Sequence, residues 1–154
     1  MAQLYCIEQI VGYTFRNSQG LVRALTAAGV NERDYEGNRR LAQLGNSLIG
    51  TAILNSAYTS GVTRGNFPCY QRRQQLTFSE TASNALCSLG SNKTRQVIAR
   101  RTGIAERVIL HPLQQNQPVP PKVLSRTISA IIAAAWLDSG RNFQVMFEVI
   151  ANLG

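Results

Sequence analysis

Metal-ion chemistry needs several carboxylates, histidines or thiolates converging on one point, because a divalent ion is held by charged or strongly donating ligands. This chain offers few. Of its eight acidic residues, Glu8, Glu80, Glu106, Asp138 and Glu148 are scattered singly, and Glu32, Asp34 and Glu36 form the one cluster. The cluster sits in a polar stretch, Gly29 to Gly37, that reads as a loop. It is either a solvated acidic turn balancing Arg33, Arg39 and Arg40 or a metal site. His111 is the only histidine; it stands beside Pro112 with no titratable neighbour, which suits loop packing better than general acid–base work. Cys6, Cys69 and Cys87 are widely spaced and form no C-x-x-C pair, so they read as reduced thiols and not as a disulfide framework or a zinc site. Neither a metal nor a cofactor is expected.

The basic residues carry more information. Sixteen of them against eight acids leave a net charge of +8 and a sequence pI near 10.1, which favours polyanionic partners, most often nucleic acid. Only Lys93 and Lys122 are lysine; an arginine excess suits bidentate phosphate contacts. Arg39-Arg40, Arg72-Arg73 and Arg100-Arg101 are doublets, with Lys93 and Arg95 close to the last. Phe67, Tyr70 and Phe78 surround the middle doublet, where they could stack unpaired bases or belong to a core.

The elements that must position these side chains read as helices. A hydrophobic fraction of 44% and a mean hydropathy of −0.10 suit a globular core, and 154 residues are about one domain. The longest apolar run, Ala130 to Leu137, falls short of the roughly 18 residues of a membrane span. The N-terminus resembles neither a secretory signal nor a transit peptide, so an intracellular protein is expected, its compartment open. Leu4, Ile7, Ile10 and Val11 share one helical face. A second helix is predicted over Gly20 to Ala28, a third over Asn38 to Tyr58, and others over Tyr70 to Leu89, Asn92 to Thr102, Lys122 to Leu137 and Phe143 to Leu153. Small residues Gly45, Ser47, Gly50 and Ala52 would let the third helix approach a neighbour closely. Thr59 to Pro68 and His111 to Pro121 read as loops. Signals for β-sheet are weak, and the predicted fold class is all-α, in one domain over 1–154.

Four segments, in order, resemble the ribonuclease III domain. Asn38-Arg39-Arg40-Leu41-Ala42-Gln43-Leu44-Gly45-Asn46-Ser47-Leu48 resembles the signature helix N-E-R-L-E-F-L-G-D-A-V. Thr127 to Gly140 resembles the last core helix and turn, D-x-x-E-A-L-I-G-A-I-Y-L-D-G-G. Val11 to Asn17 is similar to the opening I-G-Y-x-F-x-N, and Ser91 to Ile104 to the segment S-N-x-x-L-x-x-I-A-x-x-x-G-L. The resemblance covers about residues 4 to 150, with no double-stranded-RNA-binding domain, and its form is similar to short ribonuclease III-like proteins of filamentous fungi. It implies the ribonuclease III helical fold and a cleft for duplex RNA.

In that family four acids hold divalent ions for phosphodiester hydrolysis. The matching positions here are Ala42, Asn46, Arg126 and Ser129, none a carboxylate. The expectation is therefore a pseudoenzyme, not an enzyme, that binds double-stranded or structured RNA without cutting it. Its phosphate contacts would come from Arg39, Arg40, Arg72, Arg73, Lys93, Arg95, Arg100, Arg101 and Arg126. Arg126 would either receive a phosphate or pair with Asp34 or Glu36. The resemblance further implies a two-fold dimer through Gln43, Leu44 and Ser47. Gln43 stands where the family inserts a large apolar side chain into its partner, which weakens that contact by about 2–3 kcal/mol per site. Ile128, Ile131, Ile132, Ala135 and Trp136 would serve the core or a subunit interface. Two alternatives follow: a structural part of a ribonucleoprotein such as the mitochondrial large ribosomal subunit, and a metal-dependent endoribonuclease with rearranged ligands, Glu32 and Glu36 among them.

Overall fold

A computed structural model describes residues 2–32, 34–59 and 89–154. The predicted helix Tyr70 to Leu89, the loop from residue 60 to Pro68, and Arg72, Arg73, Phe67, Tyr70 and Phe78 lie outside the described residues, except for Leu89. The helices are α1 (Ala2–Val11), α2 (Ser18–Leu25), α3 (Arg39–Thr59), α4 (Asn92–Arg101), α5 (Pro121–Asp138) and α6 (Phe143–Leu153). The architecture is all-α. The one β feature among the described residues is an isolated parallel bridge, Thr26 to Ile109.

Local chemistry sets the helix ends. The side chains of Asn17 and Asn142 accept the backbone N–H of Gln19 and Gln144, capping α2 and α6 as a short carbonyl side chain does best. Pro121 opens α5 at a position where its missing N–H costs nothing. Helix α2 stops at Leu25, short of the predicted Ala28. Thr26 turns extended, Ala27 donates to the Ile109 carbonyl at 2.9 Å, and Ile109 donates to that of Leu25 at 2.9 Å. Within the 111–121 loop a short 3₁₀ turn, Pro112–Gln114, is capped by His111, whose Nδ1 accepts the Leu113 N–H at 3.3 Å.

The most apolar stretch becomes the central helix. On α5, Leu124, Thr127, Ile128 and the whole run Ser129 to Ala135 are buried. A helix apolar all round must be covered on every side, and α2, α3, α4 and α6 all pack against it. Ile128, Ile131, Ile132 and Ala135 belong to the core. Of the small residues on α3, Gly45 and Ala52 serve close packing. A Cβ at Gly45 would fall onto the backbone carbonyl of Ser129, whereas Gly50 has nothing within 4 Å of that direction and Ser47 is exposed.

Candidate functional site

Because Gly45 brings the α3 backbone against α5, the next residue on α3, Asn46, reaches Ser129 of α5. The Ser129 hydroxyl lies 3.0 Å from Asn46 Oδ1 and 3.2 Å from the Ser125 carbonyl. Into this pair α4 inserts Arg95. One guanidinium nitrogen donates to both Asn46 Oδ1 and Ser129 Oγ. The other donates to Asn92 Oδ1 at 2.8 Å and to the Gly90 carbonyl at 3.5 Å. Arg95 is only 6% exposed, and its Nε is buried with no partner. Every acceptor it meets is neutral, so burial pulls the guanidinium below its ordinary range. Arg95 as a surface contact to RNA is therefore corrected: it lies on the inner face of α4 with Ile98 and Ala99, and three helices share its charge.

The four positions at which the resemblance implies metal-binding acids fall as follows. Asn46 and Ser129 meet; Ala42 is buried with its methyl group in the core; Arg126 is exposed on α5, one turn before Ser129. A hard divalent ion needs anionic oxygens in that space. The oxygens present are an amide and a hydroxyl already accepting from a cation, so these residues do not fit a divalent ion. Among the described residues no three His, Cys, Asp or Glu side chains are grouped to hold a metal. Glu32 and Glu36 are exposed. Asp34 pairs with Arg23 at 3.1 Å and Glu36 with Arg40 at 3.9 Å, so the acidic turn is balanced by Arg23 and Arg40, and Asp34 and Glu36 do not turn to Arg126.

Two further polar residues hold the frame of this site. Asn38, 1% exposed, donates from Nδ2 to the Ala24 carbonyl at 3.0 Å and to Thr127 Oγ1 at 3.2 Å. Its own N–H reaches the Thr26 carbonyl at 2.9 Å, so one side chain joins α2, α3 and α5. Gly37 delivers the chain to it at φ +52°, where a Cβ would strike the Ala27 carbonyl. Asp138, at the end of α5, accepts from the Tyr13 hydroxyl at 2.8 Å and the N–H groups of Arg16 and Asn17 at 2.7 and 2.9 Å. Burial pushes its carboxyl up, but those three hydrogen bonds and the Arg16 charge prevail and hold it below the usual carboxylate range. Tyr13 is pushed up to about 12, by burial first and then by its bond to Asp138. Sequence reasoning placed Asp138 among the scattered acids. The available signal was that it lies near the end of one family-like segment while Tyr13 to Asn17 belong to another.

No family model matches the chain. Against curated proteins it is 31% identical over 144 residues to Ribonuclease 3 of Francisella philomiragia, covering 94% of this chain and 55% of that protein. It is 28% identical over 145 residues to Ribonuclease 3 of Caenorhabditis briggsae, covering 93% of this chain and 12% of that one. Among solved structures, the nuclease domain of ribonuclease III from Campylobacter jejuni superposes with a TM-score of 0.71 at 21% identity, over 99% of this chain and 94% of that one. The chain is a ribonuclease III-like domain, similar to these proteins over nearly its whole length and in its fold. It spans about half the length of the Francisella relative. This likeness corrects the expectation of a chain that is not an enzyme. The relatives carry the name of an endoribonuclease, and counting carboxylates at four positions addressed one ligand set, not the family of the whole chain.

Within this ribonuclease III fold the remaining predicted residues distribute by exposure. Arg39, Arg40, Lys93, Arg100 and Arg126 are solvent-exposed on α3, α4 and α5. Arg101 is exposed but donates to the carbonyls of Leu153 and Gly154 at 3.0 and 3.1 Å, closing the end of α6. On α3, Gln43 and Ser47 face solvent while Leu44 is half-buried against the core. The same outward face continues to Leu54 and Tyr58, 63% and 86% exposed, which the sequence reading did not single out although their spacing from Ser47 is helical. No helix among the described residues is long and apolar enough to cross a membrane.

Proposed function

We propose that this ribonuclease III-like domain engages double-stranded or structured RNA through backbone phosphates. The observation that carries the reading is the set of exposed basic side chains, Arg39, Arg40, Lys93, Arg100 and Arg126, on three helices packed into a ribonuclease III-like fold. Duplex RNA is read largely by shape and phosphate, which exposed arginines suit and which needs no base-specific pocket. The net charge of +8 steers a polyanion to the surface. Arg72 and Arg73 extend the proposed basic set.

The domain pairs two-fold in this reading, through the outward face of α3. Gln43 and Ser47 begin that face and Leu54 and Tyr58 continue it with exposed apolar surface. One Campylobacter jejuni nuclease-domain structure is described for flexibility in a region involved in dimer formation, which supports a second copy as the occupant. Leu54→Glu is expected to weaken self-association at least about tenfold in sedimentation equilibrium.

The deciding experiment incubates pure protein with long duplex RNA over a salt series, with and without manganese, and scores retention and cutting in the same samples. Retention that falls steeply and linearly on a log–log salt plot supports the reading. No retention at low salt, or binding indifferent to salt, overturns it. Cutting is recorded as a separate result that accompanies binding.

A further inference from the structure

We propose that the guanidinium of Arg95 is the built-in cation of this domain, standing at the α3–α5 locus where the resemblance implies divalent ions and holding α4 to both helices without one. The inference stands apart from RNA binding and rests on four observations. Asn46 and Ser129 converge from two helices to 3.0 Å, so the fold keeps a polar contact where α3 crosses α5, with Ser129 buried and Asn46 at the exposed edge. Arg95 enters it from a third helix, 6% exposed, and donates to both. A second pair of acceptors, Asn92 Oδ1 and the Gly90 carbonyl, takes its other nitrogen. Finally, Arg126 is one turn from Ser129 on α5 and adds positive potential nearby.

Charge and ligand type match one another. A doubly charged hard ion is stabilised by several carboxylates; a single delocalised charge with fixed planar donors is satisfied by neutral amide, hydroxyl and carbonyl oxygens. Neutral residues at 46 and 129 and a buried arginine at 95 thus form one coupled set. Restoring acids alone does not create an ion site, because a carboxylate at 46 would pair with Arg95. A divalent ion enters only when the acids return and the guanidinium leaves.

The test measures manganese binding by calorimetry and melting temperature on the whole chain, with no activity readout. In the wild-type protein we expect no stoichiometric manganese uptake and the same melting temperature in manganese and in a chelator. Stoichiometric uptake that Asn46→Ala abolishes, or a melting temperature lowered by the chelator, overturns the proposal without any need for a variant at Arg95. Asn46→Asp/Ser129→Glu with Arg95 retained is expected to bind no ion. The same pair combined with Arg95→Ala should bind manganese at least about tenfold more tightly and melt higher in its presence. Equal manganese binding with and without Arg95 in the acid-restored proteins also overturns it.

Discussion

Asn38 is the residue whose loss should be felt most for its size. Asn38→Ala leaves the Ala24 carbonyl without its donor and Thr127 Oγ1 without one partner, in a site 1% exposed, and should cost about 1–3 kcal/mol in urea denaturation. Asp138 predicts a pH dependence. Its folded pKa is depressed, so the stability it contributes is complete above its unfolded value of about 3.9 and is lost as pH falls through the folded value. Tyr13 runs the other way. Raised to about 12, it contributes stability that is complete below its unfolded value of about 10 and fades toward pH 12. Denaturation midpoints of wild type and Asp138→Asn should therefore converge in acid, and those of wild type and Tyr13→Phe should respond differently in strong alkali.

Between elements, the decisive contact is the α3–α5 crossing. Gly45→Ala places a methyl group on a backbone carbonyl that cannot swing aside, and should destabilise by about 3 kcal/mol, the upper end for overpacking. Gly50→Ala, on the same helix with open space at the Cβ direction, should stabilise by about 0.5–1 kcal/mol through helix propensity. Opposite signs from one substitution type, measured by thermal denaturation, would isolate the crossing from propensity; equal signs would show that the helices can slide apart. Neither outcome is deducible from helix prediction, since Gly45, Ser47 and Gly50 look alike as small residues.

At the level of the whole molecule, a net charge of +8 and basic side chains on several helices predict RNA affinity that drops about a thousandfold or more between about 50 and 200 mM salt if six or more phosphates are engaged. Arg100→Glu should lower the log–log slope by about one, while Arg101, tied to the end of α6, should change stability more than slope. Gln43→Phe should tighten self-association by as much as about 2–3 kcal/mol per site, read by sedimentation equilibrium.

Periodicity and end signals were enough to place helices in sequence. Phe143 to Leu153 needs only its apolar spacing and an asparagine before it, and the all-α class follows from such local rules because helix hydrogen bonds close within the segment. The four family-like segments were likewise legible, since side-chain types survive without coordinates. Which residues far apart in sequence would touch was another matter. Whether an arginine faces water or three helices depends on what lies across from it, and Arg95 shares the inner face of α4 only once α3 and α5 are in place. Asp138 and Tyr13, separated by 125 positions, become partners for the same reason. Local order sets the pieces; long-range packing, which alone brings distant polar groups out of water together, assigned Arg95, Asn46 and Ser129 to one another.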